Sequence, residues 1–156
     1  MINSDKDLNN LLTSIDKSKF RISPFVKKIE KPWGFEIHFT PDNLPYMGKV
    51  LHIYSGKRLS LQMHDQKMES WYLLSGSIIL ILENNKGELV ELKMEKGTGY
   101  TSAIGQKHRL VGGKGGGEVF EVSTPETGTT YRLEDDYARS NETEEIRKDP
   151  NRGWNK

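Results

Sequence analysis

The sequence predicts an all-β barrel with a short N-terminal helix and a polar C-terminal tail. Short runs rich in Val, Ile, Leu, Tyr and Phe fill residues 25–122, each run ends at a cluster of turn residues, and little between them has a helical pattern. At 156 residues the chain suits one domain with a real core. Apolar residues make up 34% and charged residues 29%, with 15 glycines, a balance that fits a turn-rich folded protein and not a disordered one.

In chain order, Asp5 to Lys17 reads as a short amphipathic helix, because Leu8, Leu11, Leu12 and Ile15 recur at i, i+3, i+4, i+7. It either packs on the barrel or caps a partner subunit, or it is a frayed arm. Strands follow at Val50–Tyr54, Leu59–His64 and Glu69–Leu74, stopped by Ser55-Gly56, Asp65-Gln66-Lys67 and Ser75-Gly76. Ile78–Glu83 and Glu88–Met94 flank Asn84-Asn85-Lys86-Gly87, a hairpin loop. His108–Val111 and Val119–Val122 flank the glycine-rich run 112–117, which reads as a flexible hairpin connection; it lacks G-K-[ST] and opens no helix, so it is no phosphate loop. Beyond Thr124 the chain is highly charged and reads as a surface segment. The expected division is an arm over 1–24, a barrel over 25–140 and a polar tail over 141–156.

A net charge of +1 favours neither nucleic acid nor an anionic membrane, so neither is an expected partner. There is no cysteine, which excludes a disulfide framework and a thiolate metal site. The first residues lack the apolar core of a signal peptide, and the longest apolar run, Ile78 to Leu82, is far too short to span a bilayer. A cytoplasmic location is the default expectation.

The chemistry concentrates in two segments. Gly56–Gly76 reads G-x5-Q-x-H-x4-E-x6-G. Gln62 and His64 lie two apart in a strand, so both side chains leave one face, and Glu69 opens the next strand and can face them. Downstream, Gly97–His108 reads G-x5-A-I-G-x2-H, so His108 opens a further strand past a turn. An amide oxygen, two imidazoles and a carboxylate converging inside a barrel suit one divalent cation, zinc first, with Fe, Mn, Co or Ni also fitting the donor set. With open positions left, such an ion can polarise a substrate oxygen.

These segments match the two cupin motifs in spacing and order, with Gln62 in place of the commoner first histidine and Ala103 and Gly112 in place of a Pro and an Asn. The match narrows further. Lys31–Gly34 (KPWG), Gly56–His64 (GKRLSLQMH), Glu69–Gly76 (ESWYLLSG) and Arg132–Arg139 (RLEDDYAR) resemble the C-terminal domain of type II mannose-6-phosphate isomerases. The resemblance implies a double-stranded β-helix, or jelly-roll, barrel, a metal held by Gln62, His64, Glu69 and His108, and a sugar phosphate as substrate. Three stretches depart from that pattern: Asp65-Gln66-Lys67-Met68, Thr127-Gly128-Thr129 and Tyr137-Ala138-Arg139.

Outside the ligand set, Glu36, His52 and Lys31 are the candidates for a general base, none singled out by a pattern. His52 alternates with Leu51 and Ile53, so it either reaches the cavity or sits packed or exposed on the other face; His38 reads as structural. Lys31 and Trp33 either line the cavity mouth or form a packed Pro-Trp-Gly turn. Arg132 and Arg139 either clamp a phosphate or pair with Glu134, Asp135 and Asp136. Arg58 and Lys107, flanking the motifs, are further phosphate candidates.

Three functions follow. The first is aldose–ketose isomerisation of a phosphorylated sugar, the second an Fe(II)-dependent cupin oxygenase, and the third a metal-anchored module that binds a sugar or nucleotide sugar without turnover. A homodimer is expected from the barrel's strand edges and the N-terminal helix.

Overall fold

The structure is a computed structural model and describes residues 4–152 and Trp154. A short helix α1 (Ser4–Ser14) and a single 3-10 turn (Lys17–Lys19) precede nine strands: β1 (Lys27–Lys31), β2 (Gly34–His38), β3 (Met47–Ile53), β4 (Leu61–His64), β5 (Glu69–Glu83), β6 (Leu89–Lys93), β7 (Gly99–Ser102), β8 (His108–Ser123) and β9 (Thr130–Glu134). All pairings are antiparallel, and the strands form one curled sheet. The architecture is a jelly-roll barrel.

Residue alternation builds the interior. In β3, Met47, Lys49, Leu51 and Ile53 point inward, and in β5 so do Glu69, Trp71 and Leu73. Past register shifts around Ser75–Ile78 the inward parity of β5 moves to Ile78 and Leu80, both fully buried. One apolar cluster fills this end of the barrel: Trp33, Leu51, Ile53, Trp71, Leu73, Ile78, Leu80, Met94, Leu110 and Val119. The other end is lined by charged side chains.

The ladder between β5 and β8 controls the site. It runs from Glu69 opposite Ser123 to Leu82 opposite His108, so Glu69 and His108 belong to opposite ends of it. Laid flat, that ladder would separate its ends by roughly 40 Å at about 3.3 Å per residue. Their side chains are 3.1 Å apart, because the ribbon coils until its ends meet.

That coil overturns one sequence reading. The run 112–117 is no hairpin connection but the middle of the continuous strand β8, paired with β3 and β5. Glycine is needed there because three backbones crowd together: a Cβ on Gly112 would lie 2.2 Å from the Tyr54 carbonyl oxygen. On the neighbouring ribbon, Gly76 has φ +76°, and a Cβ there would meet the Gly116 carbonyl oxygen at 2.2 Å.

Both ends of the chain also differ from expectation. Helix α1 stops at Ser14, and Leu8, Leu11 and Leu12 remain more than half exposed, so its apolar face does not pack on the barrel. The charged tail is not all surface. Glu142 pairs with Thr130 of β9 through mutual backbone hydrogen bonds of 2.9 Å, and Glu142 and Arg152 are both buried.

Candidate metal centre

Three strands bring the four predicted donors to one end of the barrel. Gln62 and His64 lie on β4, Glu69 opens β5 and His108 opens β8, where Gln62 and His108 are register partners. His64, Glu69 and His108 are buried and offer donor atoms that all lie within 4.8 Å of one another. Glu69 Oε2 lies 3.2 Å from His64 Nε2 and 3.1 Å from His108 Nε2. Gln62 Nε2 lies 3.4 Å from His108 Nε2, and its Oε1 accepts a hydrogen bond from Ser60 at 2.8 Å. Amide nitrogen and oxygen are interchangeable by a flip, which would turn the Gln62 oxygen toward the histidines.

Both imidazoles are held by their far nitrogens. His64 Nδ1 pairs with the Thr130 hydroxyl at 3.0 Å, and His108 Nδ1 donates to the Gln106 carbonyl at 2.9 Å. This leaves both Nε2 atoms facing Glu69, the arrangement that outer-shell partners impose on ligating histidines. His64 Nε2 is buried and, despite its proximity to Glu69, makes no hydrogen bond. Ligand bonds of about 2.1 Å would set neighbouring donors roughly 3–3.5 Å apart, the spacing Glu69 Oε2 already has from each Nε2. The residues therefore fit a divalent ion. A wall of Trp71, its ring centroid 5.1 Å from that of His108, closes the apolar side.

Around this centre the cavity is dense with charge. Seven basic and five acidic side chains line it. Lys67 Nζ lies 2.5 Å from Glu69 Oε1 and 3.0 Å from Glu121 Oε1, and Lys49 contacts Glu126 at 2.9 Å and Glu121 at 3.4 Å. Burial alone would push the Glu69 carboxyl up, yet Lys67, then His64 and His108, hold it well below the usual carboxylate range. Burial likewise opposes charge on Lys49, but Glu121, Glu126 and Glu36 raise it well above the ordinary lysine value. The free space is about 50 Å³, enough for a few waters.

The other sequence candidates separate clearly. Glu36 and Lys31 line the cavity 3.7 Å apart, and His38 lies 2.8 Å from Glu36. Burial raises the Glu36 carboxyl, but Lys31, Lys49 and His38 outweigh it and hold it well below the usual range. Lys31 goes the other way, lowered by burial that Glu36 and Glu142 offset only in part. Trp33 is buried in the core and reaches the cavity wall, so both readings of the Pro-Trp-Gly segment hold at once.

His52 points to the outer face, stacked on Phe35 at 4.6 Å and 3.2 Å from Glu118, because it is out of phase with Leu51 and Ile53. Arg58 is exposed and bidentate to Asp136 at 2.7 Å, and Lys107 pairs with Glu83. These three lie outside the cavity. Arg132 and Arg139 line it, Arg132 bound to Glu142 and Arg139 to Asp135.

Sequence reading passed over Lys49, Lys67, Glu121, Glu126, Thr130 and the tail residues that line the same cavity. For Lys49 and Glu121 a signal existed: each shares strand parity with core neighbours, Leu51 and Val119. The tail residues carry no such periodicity.

Known proteins agree with this architecture. Xanthan biosynthesis protein XanB of Xanthomonas campestris pv. campestris is 32% identical over 118 residues, which cover 75% of this chain and 23% of that protein. The chain thus spans about a quarter of that relative's length. A Bacillus subtilis oxalate decarboxylase structure at pH 4.6 superposes with a TM-score of 0.61 at 18% identity, over 85% of this chain and 38% of that one. A variant of OxdC from the same organism gives 0.62 at 17% identity, over 74% and 33%. At such identity these structures show the shared cupin fold alone. Residues 21–142 match the family described as mannose-6-phosphate isomerase C-terminal, and with most of its length inside that match this chain belongs to that family.

Proposed function

We propose that the cavity is a divalent-metal site, zinc first, held by Gln62, His64, Glu69 and His108, and that it interconverts the aldose and ketose forms of a phosphorylated sugar. The observation that carries the metal reading is the pair of Nε2 atoms aimed at one Glu69 oxygen, with His64 Nε2 left without a hydrogen bond. Membership of the isomerase C-terminal family and a cavity in which cations outnumber acids support a phosphorylated sugar. Bound there, the ion would polarise the substrate's carbonyl and adjacent hydroxyl oxygens.

The chain itself must move the proton between neighbouring carbons. Glu36 is a poor acceptor because its cation neighbours stabilise the carboxylate. Lys31, lowered by burial, is the better base, and Glu36 beside it can take up the positive charge as the proton arrives. Trp33 in the cavity wall, and Trp71 buried behind His108, would keep water from one side of the reacting atoms.

A second reading is a metal-anchored module that binds a sugar phosphate or nucleotide sugar without turnover. The departure of Thr127-Gly128-Thr129 from the isomerase pattern supports it. Metal-loaded protein incubated with mannose 6-phosphate, followed by NMR, should form fructose 6-phosphate. Absence of conversion with every divalent metal tried overturns the isomerase for that substrate, and binding without conversion selects the second reading. A homodimer belongs to the proposal too, supported by the exposed leucine face of α1, and light scattering after size exclusion tests it. No helix among the described residues is long and apolar enough to cross a membrane.

A further inference from the structure

The side chain of Glu142 sits inside a socket of four cations. Its Oε2 is 2.7 Å from Arg132 and 4.0 Å from Lys31, and its Oε1 is 3.0 Å from Arg152 and 3.6 Å from Arg147. All five residues line the cavity that contains His64 and Glu69. Arg152 also pairs with Glu126, and Lys31 with Glu36 at 3.7 Å, yet the donors are still not saturated. Arg132 Nε, Arg147 Nη1 and Arg152 Nε remain buried with no hydrogen-bond partner. Orphaned guanidinium nitrogens in a closed site are costly, and their common neighbour is a group with only two acceptor oxygens.

Two further facts connect the socket to the metal centre. The Thr130 hydroxyl holds His64, while the Thr130 backbone pairs with Glu142, so one residue touches both. Arg132 lies two residues beyond Thr130 on β9, hence on the same face of that strand. Arg147 and Arg152 come from the segment past residue 142, where the family match ends, so part of the socket lies outside the matched region.

We propose that Arg132, Arg147 and Arg152 form an oxyanion subsite, that Glu142 is its resident occupant, and that the phosphate of a phosphomonoester takes Glu142's place. The inference rests on reading this cavity as the substrate site, and it names the group that anchors the substrate's far end. A phosphate dianion brings three acceptor oxygens and about twice the charge of a carboxylate, so it satisfies the nitrogens that Glu142 leaves unpaired. It also accounts for the cramped cavity: the space a substrate needs is occupied by a side chain of the protein. Glu142 belongs to no strand and is tied to β9 by one isolated bridge, so its displacement breaks little of the sheet.

The test measures inorganic phosphate binding by calorimetry, at fixed ionic strength set with chloride, on chelated and metal-loaded protein. Glu142→Gln should bind phosphate about tenfold more tightly than the unsubstituted chain, and Arg147→Ala about tenfold more weakly. Glu142→Ala should melt early and be rescued by phosphate but not by equal ionic strength of chloride. The proposal is overturned if Glu142→Gln gains no phosphate affinity and phosphate fails to stabilise Glu142→Ala. It is equally overturned if phosphate binds only after metal loading and ignores Arg147→Ala, since the anion then sits on the ion. Because the chelated arm contains no metal, failure of the metal site is read separately, from metal content.

Discussion

Replacing Glu69 with glutamine tests the centre most sharply, because its two predicted consequences differ widely in size. Glutamine keeps the shape and an oxygen but removes the charge shared by Lys67, His64 and His108. In chelated protein the fold should lose little. Lys67 retains Glu121 at 3.0 Å and Glu126 at 3.7 Å, so it is never left as an isolated buried charge. Losing the sole partner of a buried ion would cost about 3–5 kcal/mol, whereas losing one of several charged hydrogen-bond partners costs about 1–2. At about 2–4 °C per kcal/mol for a chain of this size, the melting temperature should fall by roughly 2–8 °C. Metal binding should suffer far more. Outer-shell changes alone cost about 10–100-fold in affinity, and removal of the one carboxylate in the donor set should cost about 100-fold or more. Elemental analysis after competition with a mild chelator, alongside scanning calorimetry of the chelated protein, reads both numbers. Stoichiometric metal in Glu69→Gln would refute its assignment as ligand. A loss beyond about 15 °C without metal would refute the claim that Lys67 is multiply compensated.

Other outcomes follow from the same geometry. Thr130→Val removes the bond that orients His64 and should weaken metal binding by about 10–100-fold with the ligand set intact, read by metal titration. Gly76→Ala should cost more than about 3 kcal/mol, since a left-handed φ and a backbone clash coincide, while Gly56→Ala, at φ +69° in open space, should cost about 1–2; equal melting temperatures would contradict the crowding argument. Stability should also depend on acidity. Glu36, Glu69, Glu126 and Glu142 all sit below the ordinary carboxylate value, so the stability they contribute is complete above about pH 4.5 and is lost as pH falls through their lowered folded-state values. Lys49 and Lys67 are raised, so theirs is complete below about pH 10.4 and fades as pH climbs through the raised values. Melting temperatures of chelated protein across pH should form a plateau that falls steeply at the acid end.

Much of the barrel was legible in the sequence because strands advertise themselves twice, by residue type and by alternation. Gln62 and His64 share a face for the same reason that Trp71 and Leu73 do, and the period of two requires no knowledge of partners. His52 was equally legible in principle, since its parity opposes Leu51 and Ile53 and the structure sends it outward. Gly112–Gly117 misled because glycine's local meaning is a turn. Its meaning here is the approach of Tyr54 and Ser75, residues far away in sequence. Arg58 and Arg132 are indistinguishable as isolated basic residues, and register alone sends one to solvent and the other to the cavity. Glu142 and Arg152 were read as tail because buried ion pairs have no period; each is buried only by virtue of what it meets.

The coiling of the β5–β8 ribbon has a mechanical consequence. Glu69 and His108 are the two tips of one double-stranded strip, and the contact between them closes it into a ring. An ion held at that contact would work as a stitch, joining segments that thermal opening must pull apart together. Much as a cross-link does, it would penalise every partly open form of the strip and not one local bond. Amide exchange should then slow along the whole length of β5 and β8 when metal is added, far from the donors as well as beside them. A cation at one end of the barrel would thereby set how often its middle breathes.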